Sequence, residues 1–112
     1  MSKAEVEALA ARIRPLLAGQ DALVEKRMFG GIGFLIEGNM SVSASGQGGM
    51  MVRCDPARTD ELVAENGVAR VVMRGREMDG WLRIDIDADA TDHELKEWIK
   101  HGVGYARSLP PK

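Results

Sequence analysis

The chain reads as a two-layer α+β domain, with three helices packed on one face of a five- or six-stranded antiparallel sheet in the order α-β-β-β-β-α-β-β-α. Three observations predict it. Apolar stripes of helical period stand at both ends and briefly in the middle, runs alternating with period two fill the intervals, and short turn sequences join those runs as hairpins. With 112 residues, 45% of them hydrophobic, one core and one domain over 1–112 is the expectation.

Ser2 and Glu5 stand at capping-box spacing, so a helix starts there and buries Val6, Leu9, Ile13, Leu16 and Leu17. Pro15 removes a main-chain bond and crowds the carbonyl of Ala11, which predicts a kink or an early last turn before Gly19. From Leu23 the period changes to that of strands. Ile32, Phe34 and Ile36 alternate with Gly33 and Leu35, and Gly38-Asn39 permits the positive φ angles of a tight hairpin. In the strand over 40–45, Met40, Val42 and Ala44 are expected inward, with Ser41, Ser43 and Ser45 on a wet side. After the loop Gly46 to Gly49, Met50, Val52 and Cys54 face the core opposite Met51 and Arg53.

Asp55-Pro56 starts a short helix anchored by Leu62 and Val63, because Asp accepts free N–H groups and Pro is preset for the first turn. Asn66-Gly67 ends it. A second hairpin puts Ala69, Val71 and Met73 inward, turns around Arg74 to Gly80, and brings Leu82, Ile84 and Ile86 inward; Arg70, Arg74, Arg83 and Asp85 then face out. Thr91 and Glu94 form a second capping box before the stripe Leu95, Trp98, Ile99, Val103 and Ala106. Gly102 and Gly104 weaken that helix, so a close approach to the sheet is the expected reason for both.

Composition excludes several functions. A formal charge of -2 gives no global attraction to phosphate backbones or anionic lipid, so direct nucleic-acid binding is not expected. No apolar run approaches the roughly 20 residues of a membrane span. The lone Cys54 cannot close an internal disulfide and the opening residues lack a secretory signal, which predicts a soluble, cytoplasmic protein.

The segment Arg27-Met28-Phe29-Gly30-Gly31-Ile32-Gly33-Phe34, followed by Gly38-Asn39-Met40, resembles the signature of the TfoX N-terminal domain family. Met51-Val52-Arg53, Met78-Asp79-Gly80-Trp81 and the terminal 105–112 agree with it in order. The resemblance implies a fold similar to that of secretion chaperones. It also implies a relation to regulators of natural competence, which work with a cyclic-AMP receptor transcription factor and carry a further C-terminal domain that this sequence is not expected to contain.

Candidate chemistry is sparse. Met28-Phe29-Gly30-Gly31 fits a surface loop presenting N–H groups to a partner; it equally fits Met28 and Phe29 packed inward around a glycine turn or bulge, the commoner use of Gly between strands. Neither this segment nor Gly46 to Gly49 is a phosphate loop, because no Gly-Lys-Ser/Thr and no helix follows. Asp85, Asp87 and Asp89 imitate the start of a calcium loop, but Ala90 stands where Gly is needed and Lys96 where a bidentate Glu is needed. His93 and His101 lie too far apart for paired helical metal ligands and are expected in solvent. Cys54 reads as a small buried hydrophobe. No catalytic, cofactor or metal residue is therefore expected. The strand registers gather Ser41, Ser43, Ser45, Arg53, Arg70, Arg74 and Arg83 on the outer sheet face, which either grips an acidic partner or is an ordinary solvated surface. The expectation is a non-enzymatic interaction or accessory regulatory module with a protein partner such as a transcription factor, or a second copy; the alternative is a small acidic-ligand-binding domain or an enzyme of unrecognised type.

Overall fold

The computed structural model describes residues 2–112. Helix α1 (Lys3–Leu17) opens with the reciprocal box: Ser2 Oγ accepts from the Glu5 N–H and Glu5 Oε1 accepts from the Ser2 N–H, each at 3.2 Å. Its last turn tightens where Ala18 N–H donates to the Pro15 carbonyl at 3.4 Å. Strands β1 (Leu23–Met28), β2 (Gly31–Ile36), β3 (Asn39–Ala44) and β4 (Met50–Arg53) follow. A 3-10 turn capped by Asp55 (Pro56–Arg58) runs into α2 (Thr59–Val63), then β5 (Val68–Met73), β6 (Arg76–Ile84) and α3 (Asp92–Ser108). All six strands are antiparallel, in the spatial order β1-β2-β3-β4-β6-β5.

Three hairpins share one device. Phe29-Gly30, Glu37-Gly38 and Arg74-Gly75 are two-residue loops in which both residues have positive φ, the type I′ pattern that matches the strand twist. Two expected turns are thereby corrected. The turn expected at Gly38-Asn39 lies one residue earlier, at Glu37-Gly38; Asn39 is buried in β3 and donates from Nδ2 to the Pro110 carbonyl at 3.0 Å. The turn expected over Arg74 to Gly80 occupies only Arg74-Gly75, and Met78-Asp79-Gly80-Trp81 belongs to β6.

Two bulges redistribute side chains between the faces. Phe34 pairs with Val42 while Leu35 pairs with Met40, so Ser41 is an extra residue, and its hydroxyl donates to the Phe34 carbonyl at 2.7 Å. Met40 is thereby turned to the face opposite Val42, contrary to strict alternation. On the far side, Arg70 pairs with Leu82 and Val71 with Met78, leaving Asp79, Gly80 and Trp81 as extra length on β6. Directly paired residues share a face, so Arg70 lies on the helix side with Leu82, Ala69 lies on the open side with Arg83, and Val71 lies with Met78. The expected inward set of Ala69, Val71 and Met73 and the outward Arg70 are corrected together.

All three helices contribute to a single core on one face. Val6, Leu9, Ile13 and Leu17 of α1, Leu62 of α2 and Leu95 and Ile99 of α3 meet Ile32, Phe34, Val42, Met50, Val52, Leu82 and Ile84. Gly102 of α3 sits directly on β3, whereas Gly104 is exposed with open space beside it, so close approach explains only the first. The second capping box is half formed: Thr91 Oγ1 accepts from the Glu94 N–H at 3.1 Å, but the Glu94 carboxylate accepts from the Thr91 hydroxyl instead of the Thr91 N–H. Among the described residues, no helix is long and apolar enough to cross a membrane.

Candidate functional site

The sheet face away from the helices forms a trench of about 620 Å³ that touches all six strands. Five of the six methionines among the described residues line it: Met28, Met40, Met51, Met73 and Met78. Leu35, Val71 and Trp81 complete an apolar floor, with the buried Ser43 set between Gly33 and Met51. Among the described residues, every charged side chain on its walls is a cation, namely Arg53, Arg74, Arg83 and Lys112. This segregation is local, because the chain as a whole carries a charge of -2.

The expected outer surface of serines and arginines is therefore not what forms. Ser41, Ser43 and Ser45 are all buried: the first is bonded within the β3 bulge, and Ser45 Oγ accepts from the Gln47 N–H and from Arg83. Arg70 is tucked beside α2, its guanidinium paired with Asp60 and, at 2.9 Å, with Asp79. Arg83 braces the β3–β4 loop through the Gly48 carbonyl at 2.7 Å and Gln47 Oε1 at 3.1 Å. Arg53 is stacked between the rings of Trp81 and Tyr105, with centroids 5.0 and 5.5 Å away. Arg74 is in the β5–β6 turn. Arg53, Arg74 and Arg83 still share the trench, so three of the four predicted arginines come together and Arg70 does not.

Met28-Phe29-Gly30-Gly31 combines elements of both readings. Met28 points into the trench and the glycines serve a turn, but Phe29 is 92% exposed at its tip. Phe29 holds φ +52, a left-handed conformation that costs an ordinary L-residue roughly 1–2 kcal/mol. Neither burial nor turn preference accounts for an aromatic there. Phe29→Asn creates the favoured Asn-Gly turn and should stabilise the fold by about 1 kcal/mol, raising the melting temperature by about 4 °C. An unchanged or lowered melting temperature in calorimetry would contradict the strain.

The remaining candidates offer less chemistry. Cys54 is buried, and removal from water pushes its thiol up, so the thiolate is disfavoured. His93 is exposed as expected; His101 is half-buried against Trp98, with ring centroids 5.4 Å apart. A larger depression of about 890 Å³ collects Glu5, Asp85, Asp87, Asp89 and Glu94, but among the described residues no three His, Cys, Asp or Glu side chains are grouped to hold a metal ion. The acids Asp87 and Asp89 instead make a local turn, the Asp89 N–H donating to Asp87 Oδ1 at 2.8 Å.

Three helices on one side of an antiparallel sheet, with the other side left open and apolar, define a two-layer α+β module. The chain belongs to the TfoX N-terminal domain family, whose model matches residues 15–106. No curated protein and no solved structure matches it.

Proposed function

We propose that the chain is a non-enzymatic interaction module that engages a protein partner through the open sheet face. One observation carries this reading: a two-layer fold leaves half of its sheet without a covering layer, and here that half is lined by methionine, leucine and tryptophan instead of the polar side chains that water selects. Methionine-rich surfaces suit protein contacts because the unbranched thioether repacks against many shapes. The trench runs across all six strands, a length that suits a macromolecular segment better than a small acidic metabolite. Membership of a family resembling competence regulators supports an accessory role in transcription regulation, the partner being a regulatory protein.

Photo-crosslinking tests this. A benzophenone analogue of phenylalanine at Phe29, on the trench rim, should trap one discrete protein adduct in irradiated host cells. The same group at Lys100, exposed on α3, should not. Matching adduct patterns at the two positions, or none at either, would reject the reading.

A further inference from the structure

We propose that the segment accepted by the trench is an amphipathic α-helix of about 16 residues, apolar on one side and acidic along its flanks. This rests on the interaction reading above and specifies its occupant. The length follows from the sheet: six strands span five intervals of about 4.8 Å, hence about 24 Å, and a helix rises about 1.5 Å per residue.

The secondary structure follows from main-chain chemistry. Inside the sheet every strand spends its N–H and C=O groups on its neighbours, so the face offers an incoming peptide side chains but no ladder to join. An extended segment laid on thioethers and Trp81 would bury its own polar main chain without partners. A helix satisfies those groups internally and presents only an apolar stripe.

The sign of the flanking charge follows from the walls. Among the described residues, Arg53, Arg74 and Arg83 on the trench, and Arg76 outside it, are paired with no carboxylate, whereas Arg12, Arg14, Arg27, Arg58, Arg70 and Arg107 each are. The hydrogen bonds of Arg83 go to neutral oxygens, and Arg53 is oriented by two aromatic rings, so both keep their charge uncompensated beside the trench. A basic helix meets like charge here and an acidic one is matched.

The floor can also adapt. A Cβ added at Gly33 would lie 2.7 Å from Met40 Cε and 3.2 Å from Met28 Cε, so two thioether tips converge over the notch this glycine leaves. Both are the free ends of flexible chains, and an arriving leucine displaces them by rotamer changes alone.

The test uses the whole chain and four end-capped, labelled 16-residue peptides read by fluorescence anisotropy. One is leucine-striped with glutamate flanks, one carries lysine for each glutamate, one is a scramble of the first, and one has central prolines. The glutamate peptide should bind at least about ten-fold tighter than any control, and its affinity should fall as salt rises. Met51→Glu should weaken it by a similar factor without moving the melting temperature, because Met51 lies on the open face. Arg53→Ala should lower the affinity and flatten its salt dependence. Equal binding of the glutamate and lysine peptides, or undiminished binding by Met51→Glu, overturns the proposal; tighter binding of dodecanoate than of the glutamate peptide overturns it in favour of a small amphiphilic acid. A discrete crosslink at Phe29 with no binding of the glutamate peptide removes the helix and leaves the interaction module standing.

Discussion

Gly102→Ala should destabilise the fold by about 2 kcal/mol and lower the melting temperature by about 8 °C, although alanine is the better helix former by about 1 kcal/mol. The added Cβ would stand 2.5 Å from the Ser41 carbonyl oxygen and 2.6 Å from Val42 Cγ1. The first of these is main chain, fixed by the β3 bulge, and cannot rotate away, so α3 must lift from the sheet as a whole. Overpacking of this kind costs about 1–3 kcal/mol, and here it acts at the contact that seats Leu95, Ile99 and Ala106. Gly104→Ala, two residues along the same helix, meets nothing within 4 Å and should instead stabilise by about 0.5–1 kcal/mol. Opposite signs at neighbouring glycines are the diagnostic result. Two changes of the same sign in thermal melts would mean that α3 does not pack on β3 at Gly102.

Thr59→Val should cost about 2 kcal/mol for a nearly isosteric change. Thr59 is fully buried; its hydroxyl donates to the Pro56 carbonyl and accepts from the Gly80 N–H, each at 2.8 Å. Valine fills the same volume but leaves the Gly80 N–H in the interior with no acceptor, which costs about 1–3 kcal/mol beyond the lost bond. Gly80 is also where β6 bulges, at φ +85, and its carbonyl accepts from the Cys54 N–H at 2.9 Å. One hydroxyl thus ties the turn before α2 to the irregular part of β6 and to the end of β4. Thr59→Ser keeps both bonds and should lose no more than half as much stability in denaturant titrations. A valine variant as stable as the parent would show that the Gly80 N–H finds another acceptor.

These residues also mark where the sequence was readable. Apolar period alone located the helices, because Val6, Leu9 and Ile13, or Leu95 and Ile99, recur at helical spacing whatever surrounds them. Period two located the strands, and it assigned faces correctly at Ile32 to Ile36 and at Met50 to Cys54, where the strand itself carries no extra residue. It misassigned Met40 because Ser41 is an extra residue that exchanges the faces on either side of it without a local signature, and it misassigned Arg70 because β5 alternates in the opposite phase, with Ala69, Val71 and Met73 on the open side. The site was obscured for the same reason. Met40 was assigned to the core, Met78 to a turn and Arg70 to the open face, so the methionines were not seen as one surface. The abundance of Met beside so few aromatics was the available signal. Phe29 was ambiguous because an exposed aromatic in a left-handed turn contradicts the ordinary preference of both burial and backbone.

The sheet that carries this surface is one residue thick, and its two sides answer to different constraints. Leu82 and Val52 are held by the packed helices; their neighbours Trp81, Arg83, Met51 and Arg53 touch no helix interior except where Arg53 meets Tyr105. Substitutions on alternate positions of the same strand are thereby separated into those that alter cohesion and those that alter only the open face. Such a molecule can change the chemistry of its open face by exchanging half of each strand while its packed core stays constant.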